Sequence, residues 1–258
     1  MRMLLHMPVI AKKVRDKICE QVSNAFGGEF YEIIIGGAAF NQEMENFMHQ
    51  IGFRYTVGYG ATECAPIICY ADYKDYIPGS CGRSVVNMKV RIDSSDPENI
   101  PGEILAKGMN VMLGYYKNEE ITRQTIDKDG WYHTGDLGTM DADGNVFIKG
   151  RSKNMLLGAS GQNIYPEEIE DKLNSLALVN ECVVIQEGDK LIGLVHPDYD
   201  EAKNMGFSKE DLENIMEQNR NELNLTQPSY CRLAAIRIYE EEFEKTPKKS
   251  IKRYLYQK

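Results

Sequence analysis

Between Phe30 and Val57 a strand, a glycine turn, a helix, a second glycine and another strand follow one another. No other stretch restricts the fold as much. Phe30 to Ile35 is β-branched and nearly all apolar, the pattern of a buried strand in a parallel sheet. It stops at Gly36-Gly37-Ala38-Ala39. Asn41 is placed to cap a helix whose Met44, Phe47, Met48 and Ile51 face inward, with Gly52 as its C-terminal stop. Phe53 to Val57 reads as the next strand. Parallel strands need a crossover element, so this is a βαβ unit of an α/β domain, whose ligands sit beyond the C-terminal strand ends. Upstream, Pro8 opens a helix with Ile10, Val14, Ile18, Val22 and Phe26 along one stripe, closed by Gly27-Gly28.

From about Ile77 to Gly150 the pattern changes. Short strands such as Lys89–Asp93, Glu103–Ala106 and Val146–Lys149 are separated by Pro-, Gly- and Asp-rich turns, which predicts a small β-barrel or an antiparallel layer. A boundary is expected near residue 152. Beyond it Pro166 opens a helix through Ile169 and Leu173, and Val183–Gln186 and Leu191–Val195 flank a hairpin turn at Glu187-Gly188-Asp189-Lys190. Ser208 and Asp211 form a capping box for a helix reaching Leu225, and Ala234–Tyr239 is a last strand.

Composition removes several classes of function. The 258 residues carry 30 basic and 39 acidic side chains, a formal charge of −9, which argues against a nucleic-acid binder. A 42% hydrophobic content supplies a core. No stretch approaches the ~18 apolar residues of a membrane-spanning helix. The apolar start is broken by His6 and Pro8 and followed by Lys12, Lys13 and Arg15, so it is read as ordinary protein rather than a signal peptide. Cys19, Cys64, Cys69, Cys81, Cys182 and Cys231 contain no CxxC pair and read as reduced thiols of a cytoplasmic protein.

Four short motifs carry potential chemistry, each with a plainer reading. Gly36-Gly37-Ala38-Ala39 offers backbone N–H groups to a ligand, or is simply a tight turn. In Gly58-Tyr59-Gly60-Ala61-Thr62-Glu63 the glycines permit close backbone approach. Thr62 supplies a hydroxyl for phosphate oxygens and Glu63 a carboxylate for a hard cation such as Mg²⁺; otherwise this is a polar loop. In Trp131-Tyr132-His133-Thr134-Gly135-Asp136 a carboxylate follows a glycine turn, which suits ribose hydroxyls; alternatively Asp136 caps the turn. His133 is read as structural rather than as a general base. Arg151, after Gly150, is a rigid permanent cation for a sugar or phosphate, or one half of a surface ion pair.

The order of these motifs, followed by Gly161-Gln-Asn-Ile-Tyr-Pro-Glu-Glu-Ile-Glu170 and a Lys-rich C-terminus, resembles the AMP-forming adenylating superfamily: acyl-CoA synthetases, luciferases and the adenylation domains of peptide synthetases. The wording of Trp131–Gly138 and Asn154–Glu170 is most similar to bacterial long-chain fatty-acid–CoA ligases. The resemblance implies an α/β plus α+β fold. Residues 1–150 would form the C-terminal portion of a large adenylation domain, with an α/β piece and a β-barrel-like subdomain, and residues 151–258 a small mobile cap. It implies ATP, AMP, Mg²⁺, coenzyme A and a fatty acid as ligands. Gly36, Gly37, Ala38, Tyr59 and Gly60 would enclose adenine, Thr62 would contact phosphate and Glu63 would hold Mg²⁺. Asp136, helped by Arg151, would bind the ribose. Lys153 would be the hinge, and the Gly158–Gly161 loop would line the pantetheine channel.

Two departures accompany the resemblance. The family's upstream phosphate loop has no counterpart in these residues, which predicts a C-terminal half that is silent alone and needs an N-terminal half as partner. In the family's ungapped register the catalytic lysine position falls on Ser250. Lys249 is the residue favoured for that role, with Lys248 and Lys252 as alternatives. The basic run Lys245–Arg253 reads otherwise as a solvated tail contacting CoA phosphates or a peripheral membrane surface. Rival readings are an aryl- or amino-acid-adenylating enzyme and a half-length nucleotide or partner binder without turnover.

Overall fold

The computed structural model describes residues 8–37, 40–247 and 249–257. It forms two compact units, divided between Ile148 and Lys149.

In the first unit the apolar stripe folds as helix α1 (Pro8–Ala25), and Ile18, Cys19 and Val22 pack on the core. Gly27 and Gly28 close it at positive φ, with Gly28 N–H bonded to Ser23 O at 2.9 Å. Strand β1 (Ile33–Ile35) pairs in parallel with β2 (Tyr55–Val57) across helix α2 (Gln42–Gln50), the expected βαβ unit. Asn41 Oδ1 caps α2 by accepting from Met44 N at 3.0 Å.

Two details of this unit depart from expectation. The first strand is not buried throughout: Ile34 is 55% exposed, on a sheet that has only the two strands β1-β2 among the described residues. Helix α2 keeps Met48 and Ile51 on the core as expected but not the rest of its apolar pattern. Met44 and Phe47 are exposed, whereas Glu45 is buried at 4% exposure. The reason is polar. Glu45 Oε1 accepts from the Tyr76 hydroxyl and from Gly79 N, the latter at 3.0 Å, and Tyr55 Oη donates to Glu45 O at 3.1 Å.

The rest of the unit is antiparallel. Strands β3 (Tyr59–Gly60), β4 (Ile67–Tyr70) and β5 (Arg83–Ser84) form one small sheet. Strands β6 (Met88–Asp93), β7 (Gly102–Gly108), β8 (Tyr132–Met140) and β9 (Val146–Arg151) form a second, in that order, with helix α3 (Glu119–Thr125) between β7 and β8. The barrel-like expectation is corrected here. Closure requires the first and last strands to pair. Instead β9 is met at Val146 by the 81–82 connection, through Cys81 N to Val146 O at 2.7 Å and Val146 N to Gly82 O at 3.0 Å.

The second unit is α+β. A short hairpin, β10 (Leu156–Leu157) and β11 (Asn163–Ile164), precedes helix α4 (Pro166–Leu173). Strands β12 (Val179–Glu187) and β13 (Lys190–Pro197) form the expected hairpin, with Glu187 opposite Lys190 and Gly188 at φ 58°. Strand β14 (Leu233–Ile238) adds in parallel to β13, after helices α5 (Tyr199–Asn204) and α6 (Lys209–Thr226). Ile169, Leu173, Met216, Leu223 and Leu233 form the core between helices and sheet.

The capping box of α6 is present. Ser208 N and Oγ both donate to Asp211 Oδ2, and these bonds hold the Asp211 carboxyl below its ordinary range. Because the folded pKa lies below the unfolded one, this stabilisation is present above roughly pH 4 and is lost as pH falls through the folded value. Amide exchange in the first turn of α6 is therefore expected to accelerate on acidification ahead of the core strands. Asp211→Asn should abolish that pH dependence, and an unchanged acid response in the variant would overturn the assignment.

Candidate nucleotide site

Every candidate in the first unit except Asp136 lies at or just beyond a strand end. Gly36 follows β1 and Gly58 follows β2. A Cβ on Gly36 would meet Gly58 O at 3.4 Å, so the two strand ends approach backbone to backbone. Gly37 has φ 89°, and Ala38 lies outside the described residues. At Gly60 a side chain is excluded, since a Cβ would fall 2.1 Å from Pro66 O. The chain then makes a single 3₁₀ turn over Thr62–Cys64, with Thr62 exposed and Glu63 half-buried.

Asp136 arrives from the other sheet. Gly135 and Asp136 are not in a turn, as the sequence suggests, but in the middle of β8. Gly135 adopts φ 71° next to the register shift between Glu103 and Leu105 of β7. A left-handed residue inside a strand forms a bulge that re-aims the following side chain, and glycine adopts it without a Cβ clash. The bulge is held by Gly135 N donating to Glu103 Oε1 at 3.0 Å and Asp136 N donating to Thr134 Oγ1 at 3.0 Å. The buried Asp136 Oδ2 then accepts from Tyr59 Oη at 2.6 Å, across 77 positions of sequence.

His133 is occupied structurally. Its Nδ1 is 2.9 Å from Glu103 Oε2 and its Nε2 is 3.8 Å from Asp127 Oδ2. Glu63 Oε1 accepts from Tyr115 Oη at 2.8 Å, and Met112 N donates to Glu63 O at 2.7 Å. The two carboxylates act on their surroundings. Burial first, then the Glu63 charge, pushes the Cys64 thiol up to about 11 and raises the Tyr132 hydroxyl. Burial, with the Glu45 and Asp136 charges, pushes Cys81 up to about 12.

This local negative field suits a cation. Among the described residues no three His, Cys, Asp or Glu side chains converge on a metal position. Glu63 offers a single carboxylate, which fits a magnesium ion that takes its remaining ligands from phosphates and water.

In the second unit Arg151 ends β9 and is exposed, and Lys153 lies on the exposed 3₁₀ turn Ser152–Asn154. Gly158 and Gly161 form the tip of the β10–β11 hairpin, where Gly161 has φ 81° and its N–H bonds to Gly158 O at 2.8 Å. This tip rims a cleft of about 440 Å³ lined also by Gln186, Lys190, Tyr230 and Arg232.

The C-terminal basic run is not a solvated tail. Lys245 pairs with Glu181 at 2.5 Å, Lys252 with Glu244 at 3.1 Å and Arg253 with Glu170 at 2.5 Å. Lys249 is exposed at φ 62°, without a carboxylate partner among the described residues. Ser250 accepts from Thr246 N at 2.8 Å through its backbone O. Lys248 lies outside the described residues.

Sequence reasoning missed Tyr115, Glu103 and Thr134 as partners of the site. Glu103 and Thr134 become visible only once the β7–β8 register is known. The one available signal for Tyr115 is its position in a glycine-tyrosine loop.

Residues 1–116 match the model of the AMP-binding enzyme family, and residues 153–258 match the model of the AMP-binding enzyme C-terminal domain. The chain belongs to the AMP-binding enzyme family. It is 35% identical over 192 residues to a 2-succinylbenzoate–CoA ligase of Bacillus cytotoxicus, covering 72% of this chain and 40% of the relative. It is 41% identical over 142 residues to a long-chain-fatty-acid–CoA ligase of Escherichia coli, covering 53% of this chain and 25% of the relative. The chain thus spans less than half the length of these relatives. Its fold is that of the o-succinylbenzoate coenzyme A synthetase of Bacillus subtilis solved with AMP, with a TM-score of 0.71 at 20% identity, over 91% of this chain and 49% of that one.

Proposed function

We propose that this chain is the C-terminal portion of an AMP-forming acid–thiol ligase acting on long-chain fatty acids. The observation that carries the reading is the 2.6 Å contact of Tyr59 with Asp136, which joins two motif residues from different sheets beside Thr62 and Glu63. In the first half-reaction a carboxylate oxygen attacks the α-phosphorus of ATP and diphosphate leaves. In the second the CoA sulfur attacks the acyl carbon, its proton goes to solvent, and AMP leaves.

Two anions must approach in the first step, so preorganised donors and cations are needed rather than a strong base. Asp136 accepts from the ribose hydroxyls with its aim set by Tyr59. The Gly36-Gly37 turn lies along adenine, and Thr62 donates to phosphate. Glu63, oriented by Tyr115, would hold a magnesium ion, which would supply charge neutralisation at the phosphates. Lys249 supplies a cation to the forming adenylate, and Arg151 assists at the sugar or phosphate. Lys153 is the hinge that lets the Gly158–Gly161 loop line the pantetheine channel in the second step.

The long-chain assignment is supported by the wording of Asn154–Glu170 and by the 41% identity to a fatty-acid ligase. The unpaired state of all six cysteines supports a reducing, cytoplasmic setting. With most of its charge paired, the C-terminal run offers little to a membrane surface, so membrane contact would be peripheral and weak. The N-terminal half of such a ligase is the proposed partner and supplies the phosphate loop.

The test is carboxylate-dependent diphosphate release by this chain alone and co-expressed with the N-terminal half of a related ligase. Acids from acetate to palmitate, 2-succinylbenzoate and several amino acids would be compared. Silence alone and a palmitate response on complementation are expected. A preference for the aromatic acid or an amino acid would move the substrate class, and nucleotide binding without turnover of any acid would make the chain a binder.

A further inference from the structure

The buried pair Glu170–Arg253 has no role in the chemistry above, yet it is built with unusual completeness. Strand β12 is an edge strand, and at Val184, opposite Gly193, both backbone polar groups point away from β13. Glu170 Oε1 accepts from Val184 N at 2.5 Å and Arg253 Nη1 donates to Val184 O at 3.1 Å. Arg253 Nη2 closes the ring by donating to Glu170 Oε2 at 2.5 Å. The two side chains are 11% and 12% exposed.

A pair of apolar side chains would stabilise this position about as well, since desolvation offsets much of a buried ion pair's attraction. An apolar contact can slide. A guanidinium fork locked to one carboxylate and one carbonyl defines a single position along the strand.

That position lies four residues beyond Lys249. The loop carrying Lys249 is closed by the Lys245–Ile251 bridge, by Thr246 N to Ser250 O and by Lys249 N to Thr246 O, both at 2.8 Å. Its first foot is fixed by Phe243, stacked on Tyr239 with ring centres 4.9 Å apart, and by Lys245 paired with Glu181. The second foot is Arg253. Lys249 itself is held left-handed at φ 62°, which costs a residue with a Cβ about 1–2 kcal/mol and persists only where the surroundings impose it.

We propose that Glu170 and Arg253 are positioning residues that hold the Lys249 loop in the geometry needed for adenylation. The inference rests on the role given to Lys249 above. Glu170 lies at the end of the Gly161–Glu170 motif, so this motif and the lysine loop are joined by one ion pair.

Hydrogen exchange on the 258-residue chain tests the clamp without turnover. In Arg253→Lys, which keeps the charge and loses the fork, the amides of Thr246, Lys249 and Lys252 should exchange at least about 10-fold faster, with β13 and β14 unchanged. Unchanged loop exchange would overturn the clamp. Should that variant unfold the second unit, the double change Glu170→Gln with Arg253→Met removes both buried charges and is read by the same criterion.

In the complemented enzyme, Arg253→Lys should lower adenylation about 10²-fold, the scale of a small misplacement of a reacting group. Thioester formation from supplied acyl-adenylate should stay within about threefold, and Lys249→Ala should add little to the adenylation loss. Equal loss in both half-reactions would sink the positioning role. If the unmodified complemented enzyme performs neither half-reaction, the ligase reading fails by itself and the exchange result still decides the clamp.

Discussion

Asp136→Ala, in the chain complemented to an active ligase, is expected to raise the KM for ATP by about 10²-fold while leaving the second unit intact. Asp136 is buried and its carboxylate is aimed by Tyr59 Oη at 2.6 Å and by the bulge at Gly135. Hydrogen bonds to a charged group contribute about 1.5–3 kcal/mol each, and one such bond to a ribose hydroxyl accounts for a 10²-fold change. Two controls separate binding from folding. Tyr59→Phe removes one hydroxyl and, as the loss of one bond to a buried carboxylate, should cost about 1.5–3 kcal/mol of stability with a smaller KM effect. With 2′-deoxy-ATP as substrate, the penalty of Asp136→Ala should shrink, because the lost partner is already missing. An Asp136→Ala enzyme with a normal KM for ATP would remove this residue from the nucleotide site.

The second large effect concerns stability. Glu45→Ala should destabilise the first unit by about 3 kcal/mol in urea, with the second unit's transition unmoved. The change leaves the Tyr76 hydroxyl and Gly79 N–H without their acceptor inside the core, where Tyr76 is 9% exposed. Burial, reinforced by the Glu45 carboxylate, raises the Tyr76 hydroxyl far above its ordinary value, so this phenol stays a neutral donor across the accessible pH range. Glu45→Gln keeps an acceptor of the same shape and should recover half or more of the loss. A loss below about 1 kcal/mol for the alanine variant would mean that the segment around Tyr76 is held by other contacts.

Glu45 also marks where reading the chain fails. By periodicity Met44 and Phe47 belong to the buried face of α2, yet both are exposed and the carboxylate between them is buried. Apolar spacing ranks the faces of a helix by transfer energy alone. It carries no information about a tyrosine 31 positions away that offers a hydrogen bond. Gly135 fails in the same way. A glycine before an aspartate marks a turn in local statistics, but here the residue lies within a nine-residue strand, and only the register against β7 turns its positive φ into a bulge.

What the sequence determined by itself is whatever depends on neighbours a few residues apart. This includes the Asn41 and Ser208 caps, the closure of α1 by Gly27-Gly28, the hairpin at Gly188, the βαβ order and the succession of motifs that points to the family. Each follows from backbone geometry and short-range hydrogen bonds that a few side chains dictate. The tertiary structure alone decided which motif residues meet. Tyr59 reaches Asp136 across 77 positions and Arg253 reaches Glu170 across 83. Such contacts depend on sheet register and strand order, set by the packing of the whole unit, so they are invisible until the chain has closed on itself.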